Sequence, residues 1–181
     1  VRSFSELVKK GYIYRGLKPV NWCYKCETAL AEAEVEYENH TSPSVYVKFR
    51  LEQAKGFDQN SYLVIWTTTP WTLIANVAVA AHPQFSYCYI NTDKGKLIVA
   101  RDLLPAFLSQ AGIEKYEVIG EFKGVDLESL VYDHPFGLRK GRVVLAEYVS
   151  KEDGTGLVHT APGHGNDDYL TGVKYKLDII M

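Results

Sequence analysis

The stretch FSYCYINTDKGKLIVA, residues 85–100, sets two apolar runs on either side of the turn residues NTDKGK. This is the clearest β-hairpin signal in the chain. Other segments repeat the strand pattern. In VYVKFRL, Val45, Val47, Phe49 and Leu51 alternate with Tyr46, Lys48 and Arg50, as in a half-buried strand. SYLVIW reads as a buried strand, and VAVAAHP, YEVIGEFKG, GRVVLAEYV and GLVHTAP add further ones. CYKCETALAEAEVEYE is ambiguous, because Ala and Glu favour helix. Ala31, Ala33, Val35 and Tyr37 nonetheless alternate with glutamates, which predicts a strand.

Three helices are expected. SFSELVKKG carries Ser3 and Glu6 at capping-box spacing, with Gly11 to end it. RDLLPAFLSQAG has an apolar face and is closed by Gly112. NDDYLTGVKYKL opens with Asn166 or Asp167 as its cap. The expectation is a β-rich domain with a few helices, with no internal repeat or low-complexity linker.

A length of 181 residues suits one substantial domain, and a second compact one is not expected. The chain starts at Val1 and its only methionine is Met181, which reads as a piece of a longer protein. No apolar run approaches the ~20 residues of a membrane span. Three cysteines form no disulfide framework and fit a reducing, cytoplasmic setting. The formal charge of −2 announces no basic surface for nucleic acid, although other parts of a longer protein could supply phosphate contacts.

Two stretches stand out chemically. WTTTPWTLIAN holds Thr67, Thr68, Thr69 and Thr72 around Pro70 at a strand end. Threonine is β-branched and favours strands, so two of the four need no further explanation. Four together suggest hydroxyls that position a substrate or a water, since buried hydroxyls need partners. They lack the adjacent base or free amine of a threonine nucleophile. The second stretch, GTGLVHTAPGHGNDDYL, leads through His159 into a glycine-proline loop and then to Asp167 and Asp168 at a helix start. One aspartate there is explained by capping, not both. His159, His164 and Asp168 match no metal-ligand spacing. Cys23-x-x-Cys26 is a single pair where a structural zinc site needs two. Cys88, His40 and His82 do not complete it, so no metal is assigned.

Together these stretches closely resemble the two signature segments of the editing domain inserted in isoleucyl-tRNA synthetase. WCYKCETALAEAEVEYE resembles the segment leading into that domain, and GVDLESLVYDHPF a stretch shared with the valyl and leucyl enzymes. The resemblance spans nearly the whole chain. Thr69 and Trp71 stand where the valyl and leucyl relatives read TTRP, which marks the isoleucyl branch.

The resemblance implies a closed or nearly closed β-barrel of mixed strands with peripheral α-helices. It implies one editing domain over residues 1–181, with an entry segment at 1–40 and a core at 41–181. The implied activity is hydrolysis of valine misattached to isoleucine tRNA, and of valyl-adenylate, with isoleucine excluded. A synthetic site cannot strongly reject valine, because one methylene is worth only about 1–3 kcal/mol, a figure for which isoleucyl-tRNA synthetase is itself the standard example. By the family motif, Trp66, Thr67, Thr68, Thr69, Thr72 and Asn76 bind the aminoacyl group and terminal adenosine. His159 crowds the side-chain pocket, and Asp168 takes the α-ammonium. Thr68, Thr69, His159 and Asp168 form the implied catalytic set. The implied partners are the tRNA 3′ end, the adenylate and the remaining synthetase domains, with no cofactor, ATP binding or aminoacylation.

Chemistry gives these roles a basis. A carboxylate orients a cationic amine through a charge-assisted contact. The ester is already activated, so an ordered water suffices as nucleophile, with threonine hydroxyls or backbone amides stabilising the oxyanion. The competing expectations are a tRNA-docking module without chemistry, a valyl-type domain clearing threonine, and a general esterase with a threonine nucleophile.

Overall fold

The computed structural model describes residues 1–52, 56–58 and 60–181. The chain divides into two compact units, Val1–Glu36 and Tyr37–Met181. In the first, α1 (Arg2–Lys9) is capped at Val1 without a side-chain bond, so the expected Ser3–Glu6 capping box does not form. Ser3 lies within the helix, two residues past the position that caps it. Gly11 does end the helix: it adopts φ 76°, and the Tyr12 N–H reaches back to the Leu7 carbonyl at 3.0 Å.

A hairpin of β1 (Asn21–Cys23) and β2 (Thr28–Leu30) follows. At its turn the Cys26 N–H donates to Cys23 Sγ at 3.3 Å, a bond that holds the Cys23 thiol below its ordinary value. The strand expected over residues 31–37 is absent. Glu32–Glu34 instead form a 3₁₀ turn, in which the Ala31 N–H donates to the Glu34 carboxylate at 2.7 Å. Ala31, Ala33 and Tyr37 are exposed, so the alternation serves no sheet face, and a local bond takes over the backbone.

The second unit runs β3 (Val45–Leu51), β4 (Ser61–Thr67), β5 (Ala78–Ala81), β6 (Ser86–Thr92), β7 (Gly95–Ala100), α2 (Leu104–Ala111), β8 (Tyr116–Lys123), α3 (Gly124–Leu127), β9 (Val131–Asp133), β10 (Lys140–Leu145), β11 (Leu157–Thr160) and α4 (Asn166–Tyr175). Its nine strands form one sheet in the order β11-β5-β10-β9-β3-β4-β7-β6-β8. The pairs β5–β10 and β4–β7 are parallel and the others antiparallel. The hairpin β6–β7 forms where the sequence predicts it.

Among the described residues the sheet does not close into the expected barrel, because its edges β11 and β8 do not pair. The β11 edge nevertheless curls back. The Ala100 N–H donates to the Thr155 carbonyl at 2.8 Å, and the Tyr87 hydroxyl to the Gly156 carbonyl at 2.7 Å. The loop before β11 is thereby tied to the ends of β6 and β7.

Period-two alternation fills the core. Phe49 and Leu51 of β3, Leu63 and Ile65 of β4, Val79, Ile98, Tyr132 and Leu157 share one cluster. Phe49 meets Tyr132 edge to face at 5.1 Å between ring centres. On the other face, α2 lays Leu104, Phe107 and Leu108 against Val64, Ile90 and Val99 and stops at Gly112 in the left-handed region. A smaller cluster joins Ala78, Ala80 and Val144 to the half-buried Tyr148 and Val158. Thr67 and His159 fall on the parity of Ile65 and Leu157, so both enter the space enclosed by the curled sheet.

Candidate functional site

Pro70 stops β4 by withholding a backbone donor, and the chain turns through a 3₁₀ segment, Pro70–Ala75. That turn gathers three of the four threonines. The Thr69 N–H donates to Thr67 Oγ1 at 3.0 Å, and the hydroxyls of Thr67 and Thr69 lie 3.3 Å apart. Thr72 Oγ1 donates to the Thr69 carbonyl at 2.8 Å. Thr72 Oγ1 also lies 3.0 Å from His159 Nε2, joining the turn to β11. Thr67, Thr72 and His159 are buried, and Thr69 is exposed at the mouth of the group. Thr68 is half-buried and makes no side-chain hydrogen bond among the described residues.

The network fixes the imidazole's state. The Thr72 hydroxyl has one proton, and the Thr69 carbonyl can only accept it. His159 therefore carries its proton on Nε2 and donates to Thr72. Nδ1 is left as a buried acceptor without a protein partner. Burial, with a smaller contribution from His164, lowers the His159 pKa to about 4. The ring is thus neutral at physiological pH.

This bears on the threonine nucleophile. The sequence shows no base for it, yet His159 stands within reach of Thr72. It does not serve as one. Its lone pair points away on Nδ1, its basicity is depressed, and among the described residues no third group orients it.

The loop after β11 brings in the carboxylate. The expected helix caps Asn166 and Asp167 are not used: α4 is capped at Gly165, in extended conformation, with no side-chain bond. Asp168 turns back instead and accepts the Ala161 N–H on Oδ2 at 2.9 Å, which anchors it two residues beyond His159. Burial raises its pKa, opposed by the Ala161 bond. His164, itself exposed, acts electrostatically on both His159 and Asp168. Asp167 is exposed and Asp168 half-buried, so the two neighbours occupy different environments.

Two sequence-identified residues lie elsewhere. Trp66 has the opposite strand parity to Thr67, and its side chain borders Gly154, where an added Cβ would lie 3.1 Å away. Asn76 is fully buried, with Nδ2 donating to the Ala78 carbonyl at 2.8 Å and Oδ1 accepting from the Tyr132 hydroxyl at 2.6 Å. Both ends of its amide are engaged inside the protein, where they fix the exit of the threonine turn.

Sequence reasoning missed two residues that hold this turn. His134 Nε2 donates to the Leu73 carbonyl at 2.8 Å, while its Nδ1 accepts the Phe136 N–H at 3.1 Å. Arg139 Nη1 donates to the carbonyls of Ile74 at 2.7 Å and Asn76 at 3.1 Å. The stretch GVDLESLVYDHPF, which contains His134, carries a family resemblance but no sign of which backbone its residues hold.

A family model described as tRNA synthetases class I (I, L, M and V) matches residues 1–158. The chain is 54% identical over 99% of its length to an isoleucine--tRNA ligase of Carboxydothermus hydrogenoformans, and 52% identical over 99% to one of Desulforamulus reducens. It spans 20% of the length of each. In fold it is similar to the editing domain of the cytosolic leucyl-tRNA synthetase of P. knowlesi. The TM-score is 0.61 at 12% identity, covering 78% of this chain and 67% of that one.

Proposed function

This chain belongs to the class I tRNA synthetases, and from that premise we propose that it is a hydrolytic editing domain that releases valine wrongly esterified to isoleucine tRNA. Valyl-adenylate is a second substrate of the same chemistry. The observation that carries the proposal is the carboxylate of Asp168, anchored on the Ala161 N–H two residues beyond the neutral His159 and its threonine network.

Asp168 Oδ2 accepts the Ala161 N–H and the carboxylate lies beside the Tyr148 hydroxyl, while Oδ1 accepts no backbone hydrogen bond from the described residues. That oxygen receives the substrate's α-ammonium, and the incoming cation favours the ionised form that burial disfavours. The neutral imidazole adds no charge that would repel the ammonium. His159 narrows the pocket against the longer side chain of isoleucine. The hydroxyls of Thr68 and Thr69 orient the attacking water and stabilise the developing oxyanion. Thr67 and Thr72 hold Thr69 and His159 in register. The remaining synthetase domains present the tRNA 3′ end.

The two aspartates supply the test. Asp168→Asn keeps a group able to accept the Ala161 N–H but removes the charge, and should lower kcat/KM for valyl-tRNA about 10–100-fold. Asp167→Asn should leave it within about twofold. The reverse order of effects contradicts the proposal.

A further inference from the structure

The hairpin that braces the threonine turn also forms one wall of a cavity of about 670 Å³ on the other face of β3 and β4. Lys48, Arg50, Arg139 and Lys140 line it, with Tyr62 at its base and Asp133 as the only acid among its lining residues. Arg50 is paired with Asp133, through Nη2 at 2.6 Å and Nε at 2.9 Å. Lys140 is paired with Glu52 outside the cavity. Lys48 meets only neutral groups: it donates to the Lys94 carbonyl at 3.0 Å and sits 4.7 Å from the centre of the Tyr62 ring. Arg139 is likewise spent on carbonyl oxygens, which leave its charge intact. The cavity is thus net cationic in a chain whose formal charge is −2.

Its position is specific. Arg139 binds the carbonyls of Ile74 and Asn76 at one end of the same short turn whose other end carries Thr69 and Thr72 to His159. The cleft and the threonine–histidine group are thus joined through one short turn, although they lie on opposite faces of β3 and β4. We infer that this cleft seats backbone phosphates of the RNA whose 3′ end is edited. The inference rests on the editing proposal and adds the surface on which the RNA lies. Lys48 and Lys140 act as phosphate contacts that carry no base information. Arg139 couples the seat to the turn that holds the reacting ester.

The test is binding of an RNA hairpin with a single-stranded 3′ end to the 181-residue chain, by fluorescence anisotropy across a salt series. Lys48→Gln combined with Lys140→Gln should weaken binding by about tenfold or more and lower the log–log salt slope by about two. Lys115→Gln, an exposed lysine outside the cleft, should change neither. Thermal melts of each variant report that the fold is kept. An unchanged affinity and slope in the double variant overturns the inference, as does undetectable binding by the unaltered chain. Release of valine from the acylated hairpin at saturating RNA is measured alongside. Valine release without an effect of the double variant on binding removes the cleft and leaves editing standing. Weakened binding with no valine release by the unaltered chain removes editing and leaves the RNA seat.

Discussion

Thr72 Oγ1 and His159 Nε2 lie 3.0 Å apart, although 87 residues separate them in the chain. The bond joins the turn that ends β4 to the strand at the sheet's edge, and it decides which imidazole nitrogen carries the proton. Site geometry and local stability therefore depend on one hydroxyl.

Thr72→Val removes that hydroxyl at nearly constant volume and strands the buried His159 N–H. The expected cost is about 1–3 kcal/mol in urea unfolding, with slower valine release. Thr72→Ser keeps the oxygen and should recover most of both. If Thr72→Val is as stable as the unaltered chain, the bond has no structural role.

His159 imposes a pH dependence of known sign. Its folded-state pKa of about 4 lies below the ordinary 6.5, so the unfolded chain takes up the proton first as pH falls. The stability it contributes is fully present above about pH 6.5 and is lost as pH falls through 4. Asp168 acts in the opposite direction, because burial raises its carboxyl and favours the folded state on protonation. Comparison with His159→Gln isolates the imidazole. Between pH 7 and pH 4 the unaltered chain should lose roughly 2–3 kcal/mol more than the variant, read by chemical denaturation at each pH.

The Tyr132 hydroxyl is the partner of Asn76 Oδ1, and both residues are fully buried. Tyr132→Phe leaves that oxygen unpaired and should cost about 1–3 kcal/mol, seen as a lower Tm. Because Asn76 fixes the exit of the threonine turn, valine release should fall as well. A variant with unaltered Tm would show that the amide finds another donor.

Two glycines separate crowding from backbone strain. Gly156 and Gly137 both adopt left-handed backbone, at φ 70° and 68°. A Cβ on Gly156 would lie 2.4 Å from Ala100 Cβ, whereas one on Gly137 meets open space. Gly137→Ala should therefore cost about 1 kcal/mol from strain alone. Gly156→Ala should cost about 2–4 kcal/mol, since Ala100 cannot yield without moving β7. Equal costs, measured by denaturant unfolding, would contradict the close tie between the β11 edge and β7.

The strands of the second unit were legible because each buries one face, and period two records that directly. Val47, Phe49 and Leu51 read correctly for this reason. The same rule failed at residues 31–37, where the alternating residues face no sheet. The parallel pairs β4–β7 and β5–β10 were not legible, because their partners are separated in sequence by intervening elements. The curled but open sheet was equally out of reach. At the site, the threonine cluster was visible as a composition anomaly. Its bond to His159 is a contact between distant segments, and so is the pinning of Leu73 and Ile74 by His134 and Arg139. The mistaken cap at Asn166 or Asp167 has a local cause: Gly165 takes the extended cap position, and the Asp168 carboxylate bonds the preceding loop instead of its own helix.

The proposed function requires that the threonine–histidine group admit valine and exclude isoleucine once either is joined to tRNA. The most direct measurement is the deacylation rate of valyl-tRNA against isoleucyl-tRNA, both on isoleucine tRNA, with the 181-residue chain as catalyst. The account predicts release of valine at least about tenfold faster than isoleucine. Equal rates, or faster release of isoleucine, would contradict it.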